Sequence, residues 1–511
     1  THATKFRQQF FDRMDVWCIV NFSNLRHLLF QGSTKPAAAF FYSISQEDNN
    51  YSSHHIVTFA PFAVHQLSRY EVDNRQGKKL WTIIVNADEI REISRTDAAS
   101  GNSLPWKLVM WGSARDKHLL TSISKSFVSL SEFAKSHNFS IHEGLQLRSE
   151  DTNEPIEYIK KVVSKNEIDM TELSKCGRIF AFSKDVLKPI KASRAYVRKG
   201  RGVIPLKICR PPHIVVDQAR RFAVFSNDFI VVPPRQIGIA GSTSNLGLLK
   251  ALSIYLSSDF AFYHQFLSSS FCGIERDISD KNDLENLPIP LDDLSAPELS
   301  EWVSLHDELV RATSSESQNT LFNPRKEMID VLPLLEQLNE RVYALMGISQ
   351  SERWLIQDLL HVRKNLNEGR IDREATMPAD EIEMLVYANV LKAELDSFLD
   401  GDIKDQHRIT VFYSNDLAMA KIEHPRKPPA GQVSVVRVED QDIQEKFKKI
   451  RKSLLREQGQ WIYFNRNLKL FEGRTTYFVK PLQRLSWLKS QALIDADEFI
   501  AEKLTMGGDN N

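Results

Sequence analysis

Residues 222–241 read FAVFSNDFIVVPPRQIGIAG, and residues 249–290 read LKALSIYLSSDFAFYHQFLSSSFCGIERDISDKNDLENLPIP. The first stretch predicts a pair of short strands, a double proline, then Arg235, Gln236 and a glycine-rich loop. The second predicts an amphipathic helix, an irregular Cys272-Gly273 turn, a polar helix start and a Pro288-x-Pro290 stop. Together they describe a recognition module: a sheet edge presenting basic and amide side chains, braced by a helix.

Charge supports that reading. The chain has 511 residues and a formal net charge of zero, but the zero is an average. Residues 184–235 hold twelve Lys and Arg against three Asp and Glu, residues 275–308 two against eleven, and residues 445–489 twelve against three. Segregation of this size fits a nucleic-acid-facing surface backed by an acidic, solvated helix. Two neighbouring domains that neutralise one another would give the same pattern. Within the basic block, SRAYVRKGRGVIPLKICRPPHIVVDQARR, the candidate DNA contacts are Arg194, Arg198, Lys199, Arg201, Lys207, Arg210, Arg220 and Arg221, with Arg235 and Gln236 beyond it. The arginine fork matches phosphate oxygens and the guanine edge bidentately. Gly200 and Gly202, interleaved with Arg198, Lys199 and Arg201, let backbone approach a phosphate. The bland alternative is a solvated basic hairpin.

Two segments also carry a resemblance. The order of a short strand, VPPRQIGIAG, the helix LKALSIYLSSDFAFY and then GIERDISDKNDLENLPIP resembles the target-recognition region of bacterial adenine-specific (N6) DNA methyltransferases. These are the modification enzymes of type I systems and of single-chain type IIG restriction-modification proteins. The motif HEGLQL (142–147) stands where that family has the opening turn of the region. Near the start, Phe6-Arg7, the run Val16 to Phe22, Leu25-Arg26, Leu29-Phe30 and Pro36 to Tyr42 resemble the segment that follows the family's catalytic motif. The resemblance implies a multidomain protein of α/β and α+β class. Its expected parts are the last strands of a class I methyltransferase sheet (1–66), a helical connector (67–143), a mixed target-recognition domain (144–296), a helical segment (297–400) and a small α+β domain (401–511). Length alone predicts about three or four domains.

The first part reads as a helix and three strands: Val16 to Phe22 and Ala37 to Ile44, both expected to be buried, and His54 to Pro61. Three strands cannot close a core alone, so others must complete the sheet. The chain opens on Thr1 and runs straight into KFRQQFF, which reads as a piece of a longer polypeptide. In the connector, Trp106 and Trp111 read either as a core contact or as a stacking platform for a flipped base. Leu334, Leu335, Leu338, Val342, Leu345 and Met346 mark one helix face, with Gly347 as its cap, Ser349 opening the next helix and Gly369 ending it. The last part predicts strands at 407–414, 418–424 and 433–439, a basic helix at 444–459, further strands within 461–481, a closing helix at 484–504 and a frayed tail at 506–511.

The chemistry implied by the resemblance is methyl transfer from S-adenosylmethionine to the exocyclic amine of adenine. It needs a glycine-rich cofactor turn and an Asn/Asp-Pro-Pro-aromatic loop. Both are absent. Arg210-Pro211-Pro212-His213 and Val232-Pro233-Pro234-Arg235 have Arg and Val where the acceptor must stand, and Gly238, Gly241 and Gly247 do not give G-x-G-x-x-G. No catalytic, cofactor or metal residue is therefore assigned. The cofactor is expected for the full-length enzyme and not for this chain alone. No P-loop, G-x-S-x-G or H-E-x-x-H occurs. Asp416 and Glu423 lack the company of a nuclease site. His54 and His55 alternate across a strand and cannot share a metal.

The expected partners are double-stranded DNA and a missing amino-terminal methyltransferase half or catalytic subunit, in a restriction-modification or phage-defence setting. A stand-alone specificity subunit and a nonspecific nucleic-acid-binding protein are the alternatives. The four cysteines (Cys18, Cys176, Cys209, Cys272) never form C-x-x-C, which favours a reducing cytoplasm, and the resemblance implies that of a prokaryotic cell. No apolar run approaches the ~20 residues that span a bilayer, so no membrane is expected.

Overall fold

The computed structural model describes residues 2–25, 37–44, 55–64, 82–85, 90–150, 153–174, 176, 178–200, 203–219, 221–274, 278–316, 331–367, 374–398, 407–414, 417–424, 433–438, 445, 468–472 and 474–508. Among these the chain is mixed α/β with several small sheets. It forms two compact units. One holds residues 1–117, 273–275 and 350–511, and the other holds 118–272 and 276–349. The division falls inside the stretch 297–400 that reads from sequence as one helical segment. Among the described residues no helix is long and apolar enough to cross a membrane.

In the first unit, four strands lie in the order Ala38–Ile44, Met14–Asn21, His55–Phe59, Arg91–Ser94. The central pair is parallel and both outer pairs are antiparallel. Phe11, Val16, Ile19, Ile56, Ile93 and Ala98 form the core on one face. Two expectations are corrected here. The second strand is not buried: it lies at the sheet edge, and Phe40, Phe41, Tyr42 and Ile44 are exposed. The first is not buried on both faces, because Trp17 is 55% exposed and rests its ring on Phe41, 5.5 Å between centroids. Among the described residues no strand pairs with the outer side of Ala38–Ile44, and the register of its pairing shifts between Val16 and Cys18. The resembling positions Arg26, Leu29, Phe30 and Pro36 lie outside the described residues, as does His54; His55 is exposed.

The same unit carries a five-stranded sheet in the order Val433–Arg437, Arg408–Tyr413, Leu417–Glu423, Thr475–Pro481, Leu468–Glu472. The helices Glu381–Phe398 and Lys489–Gly508 contribute Met384, Tyr387, Leu391, Leu493 and Ala496 to its core. Alternation along Leu417–Glu423 sends Ala418, Ala420 and Ile422 into that core, and Leu417 and Met419 into a smaller cluster with Tyr477 and Val479. Inside the main core Lys480 pairs with Asp495, both essentially sealed from solvent. The Tyr387 hydroxyl donates to the same carboxylate at 2.5 Å, and the Gln491 amide donates to its other oxygen at 2.9 Å. The closing helix runs on to Gly508, past the expected start of a tail at 506. The basic helix at 444–459 (Glu445 apart), 461–467 and 509–511 lie outside the described residues, as do Gly369 and Asp416.

The second unit is built on an antiparallel four-stranded sheet: Ala223–Ser226, His213–Asp217, Gln236–Ala240, Ser140–Glu143. The stretch QIGIA, read from sequence as a glycine-rich loop at a sheet edge, is a fully buried central strand. Gly238 explains why it fits, since a Cβ there would meet the Ile208 side chain at 2.6 Å. Three short strands, Leu187–Pro189, Asn166–Ile168 and Ile230–Val231, make a second sheet, and Tyr196–Arg198 pairs with Ile156–Tyr158. Val162, Ile168, Val197, Ile208, Val215, Val224 and Val232 join these pieces in one core. The expected single amphipathic helix is two buried helices, Leu246–Tyr255 and Asp259–Ser268. Ser258 starts the second by accepting the Ala261 N–H at 3.3 Å. They brace the unit together with Ala296–Glu316 and Val331–Met346. Gly347 follows the last of these at φ +66°, the left-handed position that ends a helix.

Candidate nucleic-acid interface

The candidate DNA contacts that the structure describes lie at three places in the second unit. The first surrounds a buried carboxylate at one end of the four-stranded sheet. Asp217 is the last residue of its strand and 2% exposed. It accepts hydrogen bonds from the Gln236 amide (Nε2 to Oδ1, 2.9 Å), from Arg221 Nε (to Oδ2, 2.8 Å) and from the Arg221 backbone N–H (3.3 Å). A charge this deep requires such partners. The bond to Asp217 in turn raises the Arg221 pKa, against the opposing effect of burial.

Gln236 is therefore corrected as a contact residue. It is fully buried and its amide is spent on Asp217, because it begins a central strand and not an edge. Its neighbour has the opposite fate. Arg235 is exposed, and its side chain has no hydrogen-bond or ion-pair partner among the described residues. Its backbone is held. φ is +64°, a region that a non-glycine residue enters only at a cost of roughly 1–2 kcal/mol. The Gln218 N–H donates to the Arg235 carbonyl at 3.2 Å, and the Gly144 N–H to the Gln236 carbonyl at 2.8 Å. Gly144 lies so close under the corner that a Cβ would stand 1.9 Å from the Pro233 carbonyl oxygen. The double proline and this glycine thus aim Arg235 from a rigid base.

The second group is Lys207 and Arg210, next to the start of the strand His213–Asp217 and so at its other end. Both are exposed and without a partner among the described residues. Beside them His213 is buried, with Nδ1 2.6 Å from the Ile208 carbonyl and Nε2 3.1 Å from the Asp228 carbonyl; the neutral ring can donate to one of the two, and burial holds its pKa below the usual histidine value. The third group is on the ribbon Tyr196–Arg198. Arg198 and Lys199 are exposed, with Gly200 at φ +84° in open space beyond them. Arg194, just before the ribbon, is committed to Glu167. Arg201, Gly202 and Arg220 lie outside the described residues. The structure thus leaves Arg198, Lys199, Lys207, Arg210 and Arg235 uncommitted, and ties down Arg194, Arg221 and Gln236.

Sequence reading passed over Asp217, the group that organises the first cluster. A lone Asp four residues before an Arg was its only signal. At both double prolines the preceding residue is Arg or Val, and His213, which follows one of them, is engaged by backbone carbonyls. Among the described residues no three His, Cys, Asp or Glu are placed to hold a metal ion. Glu423 pairs with Lys421 at 2.8 Å. Of the two connector tryptophans, Trp111 is buried, and Trp106 is half-buried with its ring 6.2 Å from that of Phe11. The burial of Trp111 removes it as an open stacking platform. Against known proteins, no family model matches the chain, and no curated protein matches it.

Proposed function

We propose that this chain is the DNA-recognising part of a site-specific adenine-N6 DNA methyltransferase, of the kind found in restriction-modification or phage-defence systems. The second unit binds the duplex. S-adenosylmethionine and the methyl-transfer residues belong to sequence this chain does not contain, and no catalytic step is assigned to its own residues. The strands preceding residue 66 are read, on the same resemblance, as the end of a methyltransferase sheet.

The observation that carries the reading is the corner at Arg235. An uncommitted guanidinium stands on a backbone that two prolines, Gly144 and the Asp217 cluster hold in one conformation. Base readout by arginine wants such a base, because the fork must meet guanine O6 and N7 together. Arg198 and Lys199, ahead of the open turn at Gly200, suit phosphate contact, which positions a duplex without reading it.

Equilibrium binding of the Arg235→Ala chain to its preferred duplex and to single-base variants tests this. The expected result is discrimination lost by roughly 1–3 kcal/mol at one base pair, with the other positions retained. An unchanged profile removes Arg235 as a reader.

A further inference from the structure

The basic block that stands out in the sequence begins at Lys184. A separate group of lysines lies before it, at 160–165, and the fold joins it to Lys191. Lys160 and Lys161 open a 3-10 turn, Lys160–Val162. Ser164 follows at φ +62°, and Lys165 leads into the strand Asn166–Ile168. Three backbone bonds knot this turn to the far side of the basic block. The Ser164 N–H donates to the Ile190 carbonyl (3.0 Å), the Ile190 N–H to the Lys165 carbonyl (2.8 Å), and the Ile159 N–H to the Ala195 carbonyl (2.8 Å). Lys191, the next residue after Ile190, is thereby set beside Ser164 and Lys165.

The knot carries six cationic side chains, Lys160, Lys161, Lys165, Lys188, Lys191 and Arg194, against the carboxylates Glu167 and Asp169. Both carboxylates are already matched: Glu167 by Arg194, and Asp169 by Lys188 at 3.2 Å. The remaining four lysines are all exposed, and none has an ion-pair partner among the described residues. The Lys165 ammonium lies 5.8 Å from the centre of the Phe229 ring. Apart from Glu167 and Asp169, the nearest acidic residue in sequence to these four lysines is Glu157, on the strand leading into the turn.

We infer that the knot formed by Lys160, Lys161, Lys165 and Lys191 is a phosphate-backbone grip for duplex DNA, separate from the Arg235 corner. It rests on the DNA-binding reading above and assigns the knot a distinct part in it. Lysine is suited to the task because its ammonium meets phosphate as a point charge without demanding a base edge. The grip therefore contributes affinity and salt dependence, and no sequence preference. Each lysine that neutralises a phosphate adds about 0.9 to the slope of log affinity against log salt.

The test compares duplex binding across a salt series for three chains: unsubstituted, K160A/K161A/K165A/K191A, and K160R/K161R/K165R/K191R. The alanine chain is expected to show a slope shallower by about 2–4 and affinity lowered at least tenfold at low salt, with its ranking of duplex sequences unchanged. The arginine chain is expected to keep the original slope. All four side chains are exposed, so circular dichroism should show the same fold in each. If the unsubstituted chain binds and the alanine chain has the same slope, the grip is wrong and the DNA-binding reading stands. A change in sequence ranking with no change in slope also overturns the grip. If the unsubstituted chain binds no duplex at low salt, both fall.

Discussion

Each unit buries a carboxylate against a basic side chain at its sheet, and the two are arranged differently. In the five-stranded sheet, Lys480 and Asp495 are both sealed, with Tyr387 and Gln491 completing the set. In the four-stranded sheet Asp217 is as deeply buried, but its partner Arg221 is exposed and sits at the strand end. A sealed pair contributes little beyond holding its own neighbours in register. A carboxylate at a strand end does more, because it holds the backbone from which an exposed side chain projects. The contrast separates a polar group that serves the fold from one that also serves a surface.

The sharpest way to break the comparison is to remove one member of the sealed pair. Lys480→Met leaves Asp495 buried without its cation, and the first unit should lose roughly 3–5 kcal/mol in denaturant unfolding. Replacing both partners by apolar residues should recover much of that loss. Full stability in the single variant would show that the pair is not sealed. Next in size is Gly144→Ala. Its Cβ has no room under the Pro233 carbonyl, and the second unit should be destabilised by about 1–3 kcal/mol, with the Arg235 corner displaced. Unchanged stability together with unchanged DNA discrimination would mean the corner is looser than described.

A smaller effect concerns pH. Burial lowers the pKa of His213 and His306 in the second unit and of His407 in the first. Each is depressed relative to the unfolded chain, so the folded state favours the neutral ring. Their contribution is present above the ordinary histidine value near 6.5 and is lost as pH falls through the folded values. Thermal midpoints should fall progressively below about pH 6.5, and His213→Gln should flatten part of that fall. A midpoint that rises on acidification would contradict the assignment. The smallest effect on stability belongs to Arg235→Ala, within about 0.5 kcal/mol, because the side chain is exposed and has no hydrogen-bond or ion-pair partner among the described residues.

Much of the architecture was legible in the sequence. The alternation at 407–414, 418–424 and 433–439 gave strands within a residue or two of those observed, and of the six residues expected on one helix face Leu338, Val342 and Met346 are buried while Leu334, Leu335 and Leu345 are half-buried. What was misread follows from context that local pattern does not carry. QIGIA looks like a loop because glycine punctuates it. It is a central strand because Ile208 needs the space that Gly238 leaves. AAFFYSI looks buried because it is apolar, yet it lies at an edge. The site was half legible. Basic residues announce themselves, but whether each is committed depends on Asp217, Glu167 and Asp169, whose partners are set by strand pairing and not by spacing.

The most direct test of the central claim is selection from a randomised duplex pool, with the unsubstituted chain and the Arg235→Ala chain run side by side at low and raised salt. The account predicts an enriched motif that survives the raised salt, and loss of a single position from that motif when Arg235 is removed. Binding that enriches nothing, or that vanishes uniformly with salt, would contradict site-specific recognition by this chain.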